Sequence, residues 1–305
     1  MNVLITGGAG YKGLILAQKL LENNHNVTVI DNFMYGVELS LYLFSYPHIS
    51  FIRKDIRNID KSDLSNFDCI YHLAAISGYP ACETNPHSAI MINIKATERM
   101  ISMMSTDQLL IYASTTSVYG QMEHICDEDS KVNPASLYAK SKLEAEVLCL
   151  QRENSISLRF ATLFGVAPRM RWDLLLNNFV MKAVQERSLI LFEPNSRRTF
   201  LHISDAINAY VMALDNSDSM VGNIFNVGSE EMNYSKKEIA EMIKEKVDYE
   251  IIISKLEDLD VRNFYVKFDK IKSIGFRPKV SIADGIAELV KLFSYYKPIE
   301  SFKVI

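Results

Sequence analysis

The chain has 305 residues, 48% of them hydrophobic and 23% charged, with a formal net charge of −4. That length buries a large core and suits two domains or lobes, and the charge gives no electrostatic reason to expect nucleic acid or an anionic membrane as a partner. Cys69, Cys82, Cys126 and Cys149 form no CxxC pair and have no histidine cluster beside them, which argues against a metal site and for a reducing cytoplasm. No apolar run reaches membrane-spanning length, and strand one starts too close to Met1 to leave room for a signal peptide.

The first thirty-one residues carry the strongest pattern. Val3-Leu4-Ile5-Thr6 suits a buried parallel strand, breaks into Gly7-Gly8-Ala9-Gly10-Tyr11-Lys12-Gly13, and leads into a helix to about Asn23. Asn26–Ile30 forms a second strand that delivers Asp31. Gly7 makes the tight turn, Gly10 lets the backbone approach a pyrophosphate, and Gly13 permits close helix–strand packing. Amides at the helix start then face phosphates, aided by the helix dipole. Asp31 accepts the adenosine ribose hydroxyls and repels a 2′-phosphate, so this is an NAD site.

Strands and helices go on alternating. Ile49–Ile52, Cys69–Leu73, Leu109–Ala113 and Ile156–Phe160 read as strands three to six, with helices over roughly 86–105 and 136–153. The pattern predicts an α/β chain built on a doubly wound parallel sheet, covered by helices on both faces and followed by a smaller mixed C-terminal lobe. Residues 1–165 form the cofactor domain, segments around 200–228 return to it, and 166–305 mainly hold substrate. Ligands bind at the carboxyl ends of such strands.

Strand five runs into the hydroxyl-rich stretch Ala113-Ser114-Thr115-Thr116-Ser117-Val118-Tyr119-Gly120, and the next helix carries Tyr138 and Lys142. Four residues apart, they share one helix face. A phenol of pKa near 10 is a poor base at neutral pH, and bringing it to about 7 takes roughly 4 kcal/mol. A lysine ammonium one turn away supplies part of this, and an oxidised nicotinamide more. Tyr138 then takes a proton from a substrate alcohol, and Thr115 orients the same oxygen. Taken alone, the Tyr-x-x-x-Lys pair reads equally well as a solvated helix face.

Together, the glycine run, Asp31, Asp55-Ile56, His72-Leu73-Ala74-Ala75, Asn93, the Ser114–Gly120 stretch and Tyr138-x-x-x-Lys142 resemble the extended short-chain dehydrogenase/reductase family. The branch they resemble is the NAD-dependent nucleotide-sugar epimerases and dehydratases typified by UDP-galactose 4-epimerase. The resemblance continues through Asn178-Phe179-Val180, Arg198–Asp205, Phe225–Gly228, Arg262 after Asp260, and Lys270–Pro278. It implies a catalytic trio of Thr115, Tyr138 and Lys142. Cofactor contacts would come from Gly7, Gly10, Tyr11, Lys12, Gly13, Asp31, Asn32, Leu73, Ala74, Ala75, Asn93 and Ala113, with Asp55 and Ile56 on the adenine. Substrate contacts would come from Ser77, Thr115, Thr116, Thr162 and Asn178, with Arg198 and Arg262 on a nucleoside diphosphate. Guanidinium forks suit phosphate, although either arginine alone also reads as a surface ion pair. The expected partner is a nucleoside-diphosphate sugar, the expected reaction a 4-epimerisation, and the expected assembly a cytoplasmic homodimer.

Three differences set the chain apart from that pattern. Thr116 and Ser117 stand where 4,6-dehydratases of the family place an Asp-Glu pair, which reads against dehydration. Ser77 stands where epimerases usually carry lysine. Thr162 stands where an asparagine is frequent, so sugar-specific contacts do not transfer. A net 4-dehydrogenase, a keto-sugar reductase and a non-catalytic NAD-binding regulator remain as alternatives. His72 reads more readily as a structural histidine and Cys82 as a packed thiol. Arg169-Met170-Arg171-Trp172-Asp173 reads either as part of a substrate lid or as a loop packed on the core.

Overall fold

The computed structural model describes residues 1–256 and 262–297; Asp260 lies outside them. β1 (Asn2–Thr6), α1 (Gly13–Glu22) and β2 (Asn26–Asp31) form the opening unit. β3 (Ile49–Arg53), α2 (Lys61–Leu64) and β4 (Cys69–His72) follow. After α3 (Tyr79–Thr84), the helix expected over 86–105 is a segmented path: α4 (Pro86–Ile90), a π turn at Met91–Ala96, and α5 (Thr97–Met103). Insertions of this kind often mark functional sites, and this one carries Asn93.

Beyond it come β5 (Leu109–Thr115), β6 (Gln121–Cys126), α6 (Leu137–Leu150), β7 (Ser155–Phe160) and β8 (Thr162–Phe164). The C-terminal half adds α7 (Leu175–Gln185), β9 (Ser188–Leu191), β10 (Arg197–His202), α8 (Ile203–Asp215), α9 (Ser217–Met220) and β11 (Asn223–Val227). It continues with β12 (Asn233–Ser235), α10 (Lys236–Lys244), β13 (Glu250–Ile253), β14 (Asn263–Val266), α11 (Asp269–Ser273) and α12 (Ile282–Tyr295).

The main sheet has seven strands in the order β11-β7-β5-β4-β1-β2-β3, every pair parallel. Alternation along each strand feeds two cores. Val3 and Ile5 pack into a core shared with Leu14 of α1 and Ile207 of α8, while Leu4 and Ile70 pack into one with Met100 of α5 and Ala145 of α6. Because the strands are apolar on both faces, the sheet must be covered on both sides. Sequence order reverses between β1 and β4, the switch point at which such sheets open a crevice.

Smaller sheets build the other wall: β12-β10-β8, β13-β9 and β14-β6. Of the segment around 200–228, β11 extends the main sheet and α8 packs on α1, whereas β10 pairs with β8 and β12. β6 is a strand that periodicity did not anticipate. Its partner β14 lies far along the chain, and the strand expected sixth is therefore β7.

Candidate active site

The strand ends of the main sheet and the loops of the smaller lobe enclose a cleft of about 750 Å³, a volume suited to small-molecule and cofactor sites. On its floor the glycine turn fits a dinucleotide. Gly7 adopts φ +68°, and a Cβ there would sit 2.5 Å from the Ala74 backbone; a Cβ on Gly13 would meet Gly8 at the same distance. No side chain caps α1; the Leu14 amide donates to the Gly10 carbonyl at 3.3 Å, and the remaining amides at the helix start are of the kind a pyrophosphate would satisfy. At the end of β2, Asp31 accepts from the Ala9 amide at 3.0 Å and the Phe33 amide at 2.8 Å. Burial raises its pKa and those amides oppose the rise. The carboxylate is thus fixed at the rim where a ribose would lie. Asp55, held to about 2 by the Arg57 guanidinium, and Ile56 border the same end.

Tyr138 and Lys142 project from α6 at the opposite end, with Thr115 at the tip of β5. α6 is capped by Ser136, whose side chain accepts from the Ala139 amide. It is pinned to the sheet by a buried cluster in which Arg159 of β7 meets Glu146 at 2.6 Å and Ser157 donates to the same carboxylate. Lys142 is only 4% exposed and its Nζ stands 4.1 Å from the centre of the Tyr112 ring. Burial draws its ammonium down to about 8. Thr115 accepts from the Ser117 amide, its hydroxyl meets that of Ser117 at 3.1 Å, and Arg262 donates to Ser117 at 2.7 Å. Thr116 donates to the Phe160 carbonyl at 3.2 Å.

The cleft is bordered by Gly7, Gly10, Tyr11, Lys12, Gly13, Asp31, Asn32, Leu73, Ala74, Ala75, Ala113, Ser77, Thr116, Thr162, Asn178, Arg198 and Arg262, along with the trio and the Asp55-Ile56 pair. Asn93, also expected to contact the cofactor, is not among the residues that border the cleft. It is 2% exposed and its amide is spent on both backbone polar groups of Ile76 and on Ser141. It shapes the loop after β4 from behind.

His72 is buried between the hydroxyls of Thr6 and Thr97, 2.7 and 2.8 Å away, and desolvation holds it near 3. Cys82 is a packed thiol that donates to the Ile76 carbonyl, raised to about 11 by burial. The 169–173 segment divides its roles. Trp172 packs on Phe293 and Tyr296, while Arg169 and Arg171 border the cleft. Arg169 stacks on Tyr35 at 3.7 Å, and Arg171 pairs with Asp173 and donates to the Ser77 carbonyl. Arg169, Arg171 and Asp173 of the segment read as lid or packed loop are thus cleft residues, and Tyr35 is a cleft residue that the sequence did not single out. The clustering of two arginines around the only tryptophan was the available signal.

Residues 3–228 match the NAD dependent epimerase/dehydratase family, and the chain belongs to it. It is similar to a putative UDP-glucose 4-epimerase of Methanocaldococcus jannaschii, 28% identical with 94% of this chain and 97% of that protein covered. It is also similar to UDP-glucuronic acid decarboxylase 3 of Arabidopsis thaliana, 30% identical with 94% and 87% covered. Among solved structures, the UDP-glucuronic acid 4-epimerase of Bacillus cereus, in complex with UDP-glucuronic acid and NAD, superposes with a TM-score of 0.86 at 28% identity over 96% of this chain and 99% of that one. The chain is therefore an NAD-dependent enzyme of this family, built on its parallel-sheet fold.

Proposed function

We propose that the protein oxidises C4 of a nucleoside-diphosphate sugar and returns it as the C4 epimer. The observation that carries this reading is that Tyr138 and buried Lys142, four apart on α6, border the cleft with Thr115 of β5, while Arg198 and Arg262 border it from the C-terminal half, Arg262 donating to Ser117 next to Thr115. Tyr138 takes the proton of the C4 hydroxyl, Thr115 hydrogen-bonds the same oxygen, and the Lys142 ammonium stabilises the phenolate. NAD⁺, when bound, supplies the hydride acceptor. Arg198 and Arg262 hold the diphosphate, leaving the sugar room to present either face. Relatives that by name act on UDP-glucose or UDP-glucuronic acid support a UDP-sugar as the substrate.

Thr116 and Ser117 carry no carboxyl group to run an elimination at C5–C6, which reads against dehydration. A second reading is favoured by the similarity to UDP-glucuronic acid decarboxylases. A uronate oxidised at C4 is a β-keto acid that loses carbon dioxide without a further catalytic group. The deciding experiment incubates the protein with UDP-glucose, UDP-galactose and UDP-glucuronic acid, following NADH absorbance and product NMR. A C4 epimer with no net NADH supports the proposal. Release of carbon dioxide from the uronate selects decarboxylation, accumulating NADH with a keto-sugar selects a net dehydrogenase, and free sugars reacting as well as nucleotide sugars would overturn the substrate class.

A further inference from the structure

The side chain of Lys12 has no part in the C4 oxidation described above, although its backbone belongs to the glycine turn. Its Nζ donates to the Tyr210 hydroxyl of α8 at 3.0 Å and stands 5.0 Å from the Phe160 ring centre and 5.5 Å from that of Tyr210. Phe160 closes β7 and borders the cleft, as does Lys12. The charged groups that act on Lys12 are Lys142 from α6 and Arg171 from the loop after β8, both cations. Tyr210, fully buried, in turn senses Tyr138. Phe160 is the register partner of Thr115 across β5 and β7, so the Lys12 ammonium over its ring lies at the Thr115 end of the cleft, away from Asp31 on β2.

A purely structural side chain at this position would be better apolar. A half-buried cation set over two aromatic rings, with Lys142 and the Asp173-paired Arg171 as the cations that act on it, is retained against its desolvation. Asp31 marks the adenosine end of the cleft, so the dinucleotide crossing the switch point puts its nicotinamide at the β4–β5–β7 end. The oxidised ring is positive and the reduced ring neutral, so a fixed cation at that end discriminates between them by Coulomb's law.

We propose that Lys12 is a positioning residue for the cofactor's redox balance: its ammonium, set over Phe160 at the Thr115 end of the cleft, favours reduced over oxidised dinucleotide. Lys12 thereby lengthens the interval in which oxidised sugar and reduced cofactor are held together, the interval during which a sugar can turn over. Burial and the two neighbouring cations bring its ammonium down to about 7, so the bias is strongest below that pH. Lys142, drawn to about 8, titrates higher, and the Tyr210 hydroxyl stays protonated because burial pushes it well above its ordinary value.

The test needs no sugar, so it stands apart from the C4 reading, although the placement of Tyr138 is common to both. Purified protein is equilibrated with a fixed mixture of NAD⁺ and NADH, freed of unbound nucleotide by gel filtration, and the bound ratio is read by absorbance. In the unaltered protein the bound NADH:NAD⁺ ratio should fall by about tenfold between about pH 5.5 and 7.5, the response to one pKa unit of differential interaction. Lys12→Met should lower the ratio at acid pH and flatten its dependence over that range. Lys12→Arg, which stays charged, should keep the ratio high with little pH dependence. A wild-type ratio that does not change with pH overturns the proposal even if a variant fails to fold, and so does a Lys12→Met ratio that follows the wild-type curve.

Discussion

We propose that Asp31 selects the cofactor with a single charge. Its carboxylate is held by two backbone amides, so it cannot swing away from a 2′-phosphate. NADP(H) should bind at least about tenfold more weakly than NAD(H), roughly 1.4 kcal/mol, with Asp31→Asn narrowing the gap; equal affinities in a fluorescence titration would refute this role. Tyr138→Phe should lower turnover at least about a hundredfold, within the range for a general base, while leaving NAD affinity intact by the same titration. Lys142 brings function and stability into opposition. Its ammonium falls from 10.5 unfolded to about 8 folded, so the native state carries the cost of the buried cation fully below pH 8. That cost fades as pH rises from 8 to 10.5. Lys142→Met should therefore abolish activity yet gain on the order of 3 kcal/mol at pH 7, an advantage that denaturant curves should show shrinking with alkali.

At the scale of elements, α6 is useful only if its register against β7 is held, and the Glu146–Arg159 pair holds it. Both side chains are nearly fully buried, and Arg159 also donates to the Tyr119 hydroxyl at 3.0 Å. Glu146→Ala strands the guanidinium and should cost about 3–5 kcal/mol in urea unfolding. Replacing both partners with apolar residues of similar size should cost less, and a double replacement as damaging as the single one would refute the argument. Elements of this kind were legible to different degrees. β1, α1 and β2 carry their own apolar periods and glycine turn, so their limits are readable locally. β6 is not readable in that way, because Gln121–Cys126 is a strand only by virtue of pairing with β14. The π turn at Met91–Ala96 likewise leaves no periodic mark that separates it from an ordinary helix.

Over the whole molecule, the cleft exists because the smaller sheets stand across from the strand ends of the main sheet. Arg198 on β10 and Arg262 just before β14 reach one wall from separate parts of the chain. Removal of either guanidinium should weaken UDP-sugar binding by about 1.5–3 kcal/mol, the usual worth of a hydrogen bond to a charged group, with NAD affinity unchanged by calorimetry. A loss confined to NAD would place them on the wrong ligand. The cofactor turn, the acid after β2 and the Tyr138–Lys142 pair were readable from sequence because each depends on spacings within one strand–turn–helix unit or one helix face. What only the folded chain decided depends on distance in space between residues remote in sequence. Asn93 retreats behind Ile76 because its amide finds backbone partners there. Arg169 meets Tyr35, and Lys12 reaches Tyr210 and the Phe160 ring, because loops and helices far apart in the chain close over one crevice, and no local period encodes such a meeting.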